Sequence, residues 1–173
     1  AYDIELAKKF MDKDNDGKCD SCGMPVDMCI DSGQMQCDMD TESTMGILGS
    51  QHIHADFKVY RNSGIIGFSE YSHMDRMGAN LPVSSFIHVD SGAPAPEKTG
   101  DVLHMHATGV PLWIFFDSIN MELPVSTEVY VNGELKSEGL NYVFNDLDKI
   151  LITDADGDID KQLNSITNFA GLH

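Results

Sequence analysis

The sequence predicts an α+β fold: a mainly antiparallel sheet carrying a histidine cluster, one buried helix and a C-terminal helix. Short alternating apolar segments lie between turn residues, one segment around Trp113 is apolar on all sides, and a helical pattern begins at Ile159. We divide the 173 residues into an appendage (residues 1–45) with a calcium-type loop and the cysteines, a linker (46–50), and the α+β domain (51–173).

The composition restricts the partners. The chain carries 28 acidic against 11 basic side chains, a net charge of −17. Such an excess repels phosphate backbones and attracts cations, so we expect metal ions as ligands and no nucleic acid. No stretch approaches the roughly 18 apolar residues of a membrane span. A protein partner or a homo-oligomer remains open, and a start at Ala1 is consistent with a mature or trimmed product.

The appendage begins with a helical apolar pattern over residues 2–11, followed directly by an acidic loop. The loop matches the first half of an EF-hand calcium loop, in which oxygen ligands alternate along the chain and a glycine makes the sharp turn. The predicted ligands are Asp12, Asp14, Asp16, the carbonyl of Lys18, and Asp20, with Gly17 at the turn. Gly23 stands where an EF-hand has its bidentate Glu, so Asp20 or Asp27 would have to complete the shell. The alternative is a solvated acidic turn.

The cysteines are concentrated in the same appendage, at Cys19, Cys22, Cys29 and Cys37. Their spacing lacks the second Cys-x-x-Cys of a zinc ribbon, and it favours two disulfides formed in an oxidising compartment. Two alternatives stay open. Nearby methionines make the segment a candidate for soft Cu(I), and residues 19–24 (CDSCGM) resemble a short element of some bacterial copper chaperones. A redox-active Cys-x-x-Cys is the other alternative.

Histidines recur at every second position of two predicted strands, and a third strand adds one more. Residues two apart on a strand point to the same side of the sheet. In residues 51–60 the apolar side chains are Ile53, Ala55, Phe57 and Val59, which leaves the histidines on the other face. The same alternation in residues 85–90 and 101–107 places five histidines opposite the core: His52, His54, His88, His104 and His106.

If the three strands are neighbours, these imidazoles converge and predict a copper or zinc site. A lone strand histidine is usually solvated or hydrogen-bonded, but five in phase favour metal. The carboxylate that follows the His-x-His of cupins is absent here. His73, in an irregular stretch, is either a further ligand or an exposed loop residue. The short connection between the His88 and His104 strands favours antiparallel pairing.

The other elements of the domain follow in order. Residues 62–64 predict a hairpin turn into a strand over 65–68, and residues 112–119 a buried helix with Thr108 as its cap and Pro111 in its first turn. Residues 127–131 and 134–136 form a hairpin around Asn132-Gly133. Further strands are predicted at 142–144 and 149–153, and a final helix that Asp156 or Asp158 caps.

Residues 52–60 (HIHADFKVY) and 102–109 (VLHMHATG), with the Phe-Phe helix after them, resemble a family of small extracytoplasmic proteins in ammonia-oxidising archaea. The resemblance spans most of residues 51–167. It implies an extracytoplasmic setting and a copper-rich physiology, but no activity.

Three classes of function are compatible with these patterns. The first is a protein that binds or delivers copper or zinc through the five histidines. The second is a metalloenzyme, which needs an open position on its metal for water or a substrate. In the third, a structural or interaction module, the histidines are incidental, and calcium and disulfides provide stability.

Overall fold

A computed structural model describes residues 8, 12–18, 25–27, 45–46, 49–71, 86–90 and 101–173. Within these ranges a seven-stranded mixed sheet forms the body of the protein. The strands are β1 (Ile53–Arg61), β2 (Gly64–Ile66), β3 (Ile87–Asp90), β4 (Val102–Met105), β5 (Glu128–Val131), β6 (Glu134–Lys136) and β7 (Lys149–Thr153). Two α-helices, α1 (Leu112–Ser118) and α2 (Ile159–Asn164), complete the predicted α+β class.

The strand order is β3-β4-β1-β7-β5-β6, with β2 paired to β1. Strand β1 lies at the centre, antiparallel to β4 and parallel to β7. The other described pairings are antiparallel, so the sheet is mainly antiparallel with one parallel pair at its centre. As predicted, β3 and β4 are antiparallel neighbours.

One face of the sheet packs into the core under α1. The alternation along β1 buries Ala55, Phe57 and Val59 almost completely. The ring of Phe57 meets Phe115 of α1 edge to face, with ring centroids 5.9 Å apart. Helix α1 is buried as its all-apolar sequence predicts, since Leu112, Ile114, Phe115 and Phe116 all belong to the core.

The opposite face of β1 meets the C-terminal part of the chain. The hydroxyl of Tyr60 donates to Ser165 Oγ at 3.0 Å, just after α2. Asp56, which precedes Tyr60 on the same face of β1, accepts hydrogen bonds from Thr167 and Phe169 in the same C-terminal segment. The sheet therefore lies between α1 on its core face and the C-terminal segment on part of its other face.

The turn chemistry agrees with the sequence. Asn132 and Gly133 both have positive φ, 51° and 85°, as the type I′ turn between β5 and β6 requires. Asn62 and Ser63 make the equivalent turn between β1 and β2. Asp158 caps α2, because its carboxylate accepts from the Lys161 N–H at 3.1 Å.

Two local predictions are wrong. Thr108 does not cap α1; Pro111 occupies the N-cap position, and the Thr108 N–H instead donates to Ser50 Oγ at 3.0 Å. Residues 142–144 form no strand, because the Tyr142 hydroxyl and the Asn145 N–H both bind the Asp148 carboxylate and fold this stretch into a turn. Phe144 is buried from that turn as a single side chain.

Residues 45–46 and 49–50, at and beside the predicted linker, hydrogen-bond to the chain that follows β4. The Gly46 N–H donates to the Thr108 carbonyl at 2.8 Å, and the Gly49 N–H to the His106 carbonyl at 2.6 Å. A Cβ on Gly46 would overlap with Thr108 Oγ1, so this approach requires glycine.

Candidate metal centre

The strand pairing brings the five predicted histidines together on the face opposite α1. His104 on β4 lies directly across from His54 on β1 and from His88 on β3. His52 immediately precedes β1 and His106 immediately follows β4, so they form a second row two residues along. This arrangement follows from the two-residue period of strands and from the antiparallel register.

The imidazole rings contact one another across both rows. His104 lies 4.4 Å from His54 and 5.5 Å from His88, measured between ring centroids. In the second row His106 lies 4.7 Å from His52. His106 also stacks on His88, at 4.9 Å and 21°. We refer to these rings as the histidine cluster.

Two sets of three histidines bring one ligand nitrogen each to within 4.8 Å of the others. The first set is His52, His54 and His104, and the second is His88, His104 and His106. Zinc takes imidazole nitrogens at about 2.0–2.1 Å, so a bound ion would draw the nitrogens of either set closer together. His104 belongs to both sets, which makes it the central member of the cluster.

Exposure changes across the cluster. His88 and His104 are buried, at 5% and 6% of their full exposure, whereas His54 and His106 are half-buried and His52 is exposed. A metal held here would be shielded by the sheet on one side and accessible to water on the other. This geometry suits both ion exchange and a coordination position for an outside ligand.

Burial favours the neutral form of His104 and His54. Desolvation, reinforced by repulsion from the surrounding imidazoles, lowers the pKa of His104 to about 2. Desolvation is also the main cause that lowers the pKa of His54; His52 and His173 add to it and the Asp146 carboxylate opposes it. Because only neutral imidazole binds a metal, these two rings need not release a proton before coordination at neutral pH.

Backbone hydrogen bonds hold the histidine-bearing segments in place. The His106 N–H donates to the Phe86 carbonyl at 2.8 Å, and its own carbonyl accepts from Gly49. On β1, the His54 N–H donates to Asp146 Oδ1 at 3.0 Å, while the His54 carbonyl accepts from Leu147 at 2.7 Å. The positions of His54 and His106 are therefore fixed by several segments distant in sequence.

A sixth histidine, which the sequence did not predict, joins the cluster. The ring centroid of His173 lies 5.2 Å from that of His54 and 4.7 Å from that of His104. It belongs to no strand and follows a short 3-10 helix, Ala170–Leu172, so no periodicity links it to the other five. His73, the remaining histidine, lies outside the described residues.

The acidic loop in the appendage forms a compact group. One carboxylate oxygen each from Asp12, Asp14 and Asp16 lies within 4.8 Å of the others. Asp12 also accepts the N–H groups of Asp16 and Gly17, at 2.9 and 2.8 Å, which wraps the backbone around its carboxylate. Gly17 has the positive φ, 84°, that the predicted turn needs.

Several predicted residues of the appendage lie outside the described part of the chain. Asp20 and the four cysteines, Cys19, Cys22, Cys29 and Cys37, lie outside the described residues. Lys18 is described: it forms an isolated β-bridge with Pro25, and Val26 donates to the Gly17 carbonyl at 3.0 Å. The described part of the loop thus closes back on the segment that follows the first cysteine pair.

Comparison with known proteins gives no relative. Family models, curated proteins and solved structures were all searched, and none matches this chain. The resemblance to archaeal extracytoplasmic proteins therefore stays a prediction, and the site has to be interpreted from its own chemistry. Among the described residues no helix is long and apolar enough to cross a membrane.

Proposed function

We propose that this protein binds copper or zinc through its histidine cluster. The observation that carries the proposal is the convergence of His52, His54, His88, His104 and His106 on one sheet face, with ligand nitrogens in sets of three. Imidazole suits both metals, and copper is preferred by affinity where it is available. Burial lowers the pKa of His104, so this ring can bind a cation without first releasing a proton.

Incidental clustering is a poor explanation for this arrangement. Neutral imidazoles can stack without a metal, but burying His88 and His104 beside four further rings gains little packing that apolar side chains would not supply better. The net charge of −17 adds a field that concentrates cations near the protein. It also disfavours nucleic acid as a partner.

The first experiment is metal analysis of protein purified without added metal. We expect copper or zinc at stoichiometric levels. If the metal is Cu(II), its electron paramagnetic resonance spectrum should show that nitrogen atoms bind it. Absence of both metals, together with no zinc uptake in a titration of the stripped protein, would refute the proposal. The titration is needed because weakly held ions are lost in purification and would escape the metal analysis.

A double variant links the metal to the cluster. His104→Ala with His106→Ala removes the central ring and one ring of the second row, so we expect at least tenfold weaker zinc binding. Leu135→Ala is the matched control, because it truncates an exposed side chain on β6, outside the cluster, and should leave zinc binding unchanged. Circular dichroism shows whether each variant is folded. Unchanged zinc affinity in a folded double variant would exclude the cluster as the site.

A metalloenzyme is the second candidate function. The exposed edge at His52 favours it, since a metal bound there would have a solvent-facing position for water or substrate. Azide binding distinguishes the two functions. A shift in the spectrum of the Cu(II) form on adding azide supports an open position on the metal, whereas no shift supports storage or delivery.

We further propose that the appendage binds calcium through Asp12, Asp14 and Asp16, and that its cysteines form disulfides in an extracytoplasmic compartment. The oxygen-rich loop with Gly17 at its turn supports calcium, which prefers hard oxygen ligands. Isothermal titration with calcium, and the mass of the unreduced protein before and after alkylation, test these two points separately. Free thiols on the secreted protein would contradict the second.

A further inference from the structure

The two three-histidine sets of the cluster overlap at one ring. One set consists of His52, His54 and His104, and the other of His88, His104 and His106. In the sheet, His104 pairs with His54 on one side and with His88 on the other. The two sets therefore lie side by side, with their shared ring between them.

This overlap makes the two sets mutually exclusive. A neutral imidazole has one ring nitrogen with a lone pair for a metal, because the other nitrogen carries a proton. His104 can therefore be a ligand to one ion at a time. Two divalent ions on the same small ring would also repel each other. An ion in one set thus removes a ligand from the other set.

The sets differ in their exposure to water. His52 is exposed and His54 is half-buried, and we call their set with His104 the outer set. His88 is only 5% exposed and His106 is half-buried, and we call their set with His104 the inner set. An ion in the outer set would lie closer to solvent than an ion in the inner set.

This difference in exposure gives the two sets different properties. An incoming ion carries bound water, and a hydrated ion can reach the exposed ring of His52 but not the covered ring of His88. At buried ligands water competes less, and electrostatic attraction is stronger. A buried ring also loses less rotamer freedom than an exposed one when it binds an ion. The outer set therefore favours fast exchange, and the inner set favours tight binding.

Passage between the sets is a ligand exchange at a single ion. The metal–nitrogen bonds to His52 and His54 break, and bonds to His88 and His106 form. Each ring binds in its neutral form, so no proton is transferred and the oxidation state of the metal is unchanged. The incoming ligands are adjacent to the outgoing ones, since the ring centroids of His52 and His106 are 4.7 Å apart.

We propose that the cluster binds one ion at a time, that this ion enters and leaves through the outer set, and that the inner set holds it. The inference rests on the proposed function. It adds the path by which the ion is exchanged, and it makes His104 the ligand common to both positions.

The test compares His54→Gln with His106→Gln. These variants are matched, because both rings are half-buried and each belongs to one set only. Zinc is titrated into the stripped full chain, with calcium in excess and the cysteines alkylated. We expect His106→Gln to bind zinc at least about tenfold more weakly, since even residues that only support a ligand contribute that much to metal affinity. His54→Gln should weaken zinc binding much less.

Release rates separate a path from a simple loss of a ligand. Zinc is loaded first, and its transfer to a chromophoric chelator is followed by stopped flow. His106→Gln should release zinc several-fold faster than the wild type, because the inner set is incomplete. His54→Gln should release it several-fold more slowly, because the outer set is the exit. Leu135→Ala, at an exposed position on β6, should release zinc at the wild-type rate.

Native mass spectrometry tests exclusivity. We expect one zinc ion per wild-type chain that is lost in His104→Gln, because that substitution breaks both sets. Two zinc ions that both disappear in His104→Gln would overturn the inference. Circular dichroism checks the fold of each variant. His52→Gln, at an exposed ring of the outer set, should repeat the slow release of His54→Gln.

The outcomes distinguish this inference from the proposed function. Wild-type protein that takes up no zinc refutes both. If the wild type binds zinc but His54→Gln releases it as fast as the wild type or faster, the inference is wrong and the proposed function stands. The same holds if His54→Gln weakens zinc binding as much as His106→Gln does.

Discussion

His104 shows how one residue combines structural and chemical constraints. It is buried, sits at the centre of the cluster, and has a pKa of about 2 in the folded protein. An unfolded chain gives the same side chain a pKa of about 6.5. The two states therefore bind different numbers of protons over a wide acidic range, and this difference makes folding dependent on pH.

The metal-free protein should lose stability as the pH falls. Below about pH 6.5 the unfolded chain protonates His104 while the folded chain does not, so the free energy of unfolding falls by on the order of 1 kcal/mol per pH unit. The lowered pKa of His54 acts in the same direction. Urea unfolding in a chelator at about pH 7.5, 6.5 and 5.5 measures the slope.

His104→Gln supplies the control, because glutamine keeps a polar group at this position but does not titrate. Its free energy of unfolding should depend less steeply on pH than that of the wild type. Equal slopes in the two proteins would show that His104 does not stay neutral in the fold.

At the residue scale the sequence predicted most of the cluster. A period of two along three strands was enough to place His52, His54, His88, His104 and His106 on one face. His173 could not be predicted this way. Its position depends on bonds between Asp56 and residues more than 110 positions later, and no local pattern encodes a contact over that separation.

At the scale of elements, β4 shows how closely the surrounding segments fit. Its four residues are all buried, with Leu103 and Met105 in the core and His104 in the cluster. Beyond its end, His106 and Thr108 accept hydrogen bonds from Gly49 and Gly46. The position of His106 therefore depends on a segment that carries no histidine.

Gly46→Ala should disturb this contact. The added Cβ would overlap with Thr108 Oγ1 and come 2.9 Å from Ser50 Oγ. We expect a loss of about 1–3 kcal/mol in the free energy of unfolding, as for other overpacked positions, and weaker zinc binding as His106 shifts. Urea unfolding and a zinc titration measure the two effects.

Gly67→Ala is the matched control, because the same methyl group meets nothing within 4 Å there. It should leave zinc binding unchanged and alter stability by less than Gly46→Ala. Equal effects of the two substitutions would mean that the Gly46 contact does not support the cluster.

Elements with strong local signals were predicted well and those set by tertiary contacts were not. The Asn132-Gly133 turn and the Asp158 cap are local, since each depends on groups within a few residues. Residues 142–144 alternate like a strand, yet the buried Asp148 carboxylate draws Tyr142 and Asn145 into a turn instead. A preference for strand is weak against such a set of bonds.

On the scale of the whole molecule, the two candidate ion sites use ligands of different hardness. The appendage offers carboxylates, which suit calcium, and the sheet offers imidazoles, which suit copper or zinc. Nothing in either ligand set is shared with the other. We therefore expect the two ions to bind independently.

Ligand-specific variants test this independence. Asp14→Asn should weaken calcium binding and leave zinc binding unchanged, whereas His104→Ala should do the reverse. Zinc at about 100 times its dissociation constant should raise the free energy of unfolding of the sheet domain by about 2.7 kcal/mol. Calorimetric titration and thermal melts give both quantities. If either variant weakens the binding of both calcium and zinc, the two sites are coupled.

The parallel pairing of β1 with β7 affects how the protein must be made. Asp56 of β1 aligns with Lys149 of β7, so the centre of the sheet closes only when distant parts of the chain meet. Such long-range closure slows folding. Meanwhile the nascent chain exposes two His-x-His pairs that can chelate a metal before the strands are in register. Metal encountered too early would stabilise the unfolded chain, and refolding should be slower with zinc present than with a chelator. We therefore expect productive folding to require that the chain folds before it binds metal.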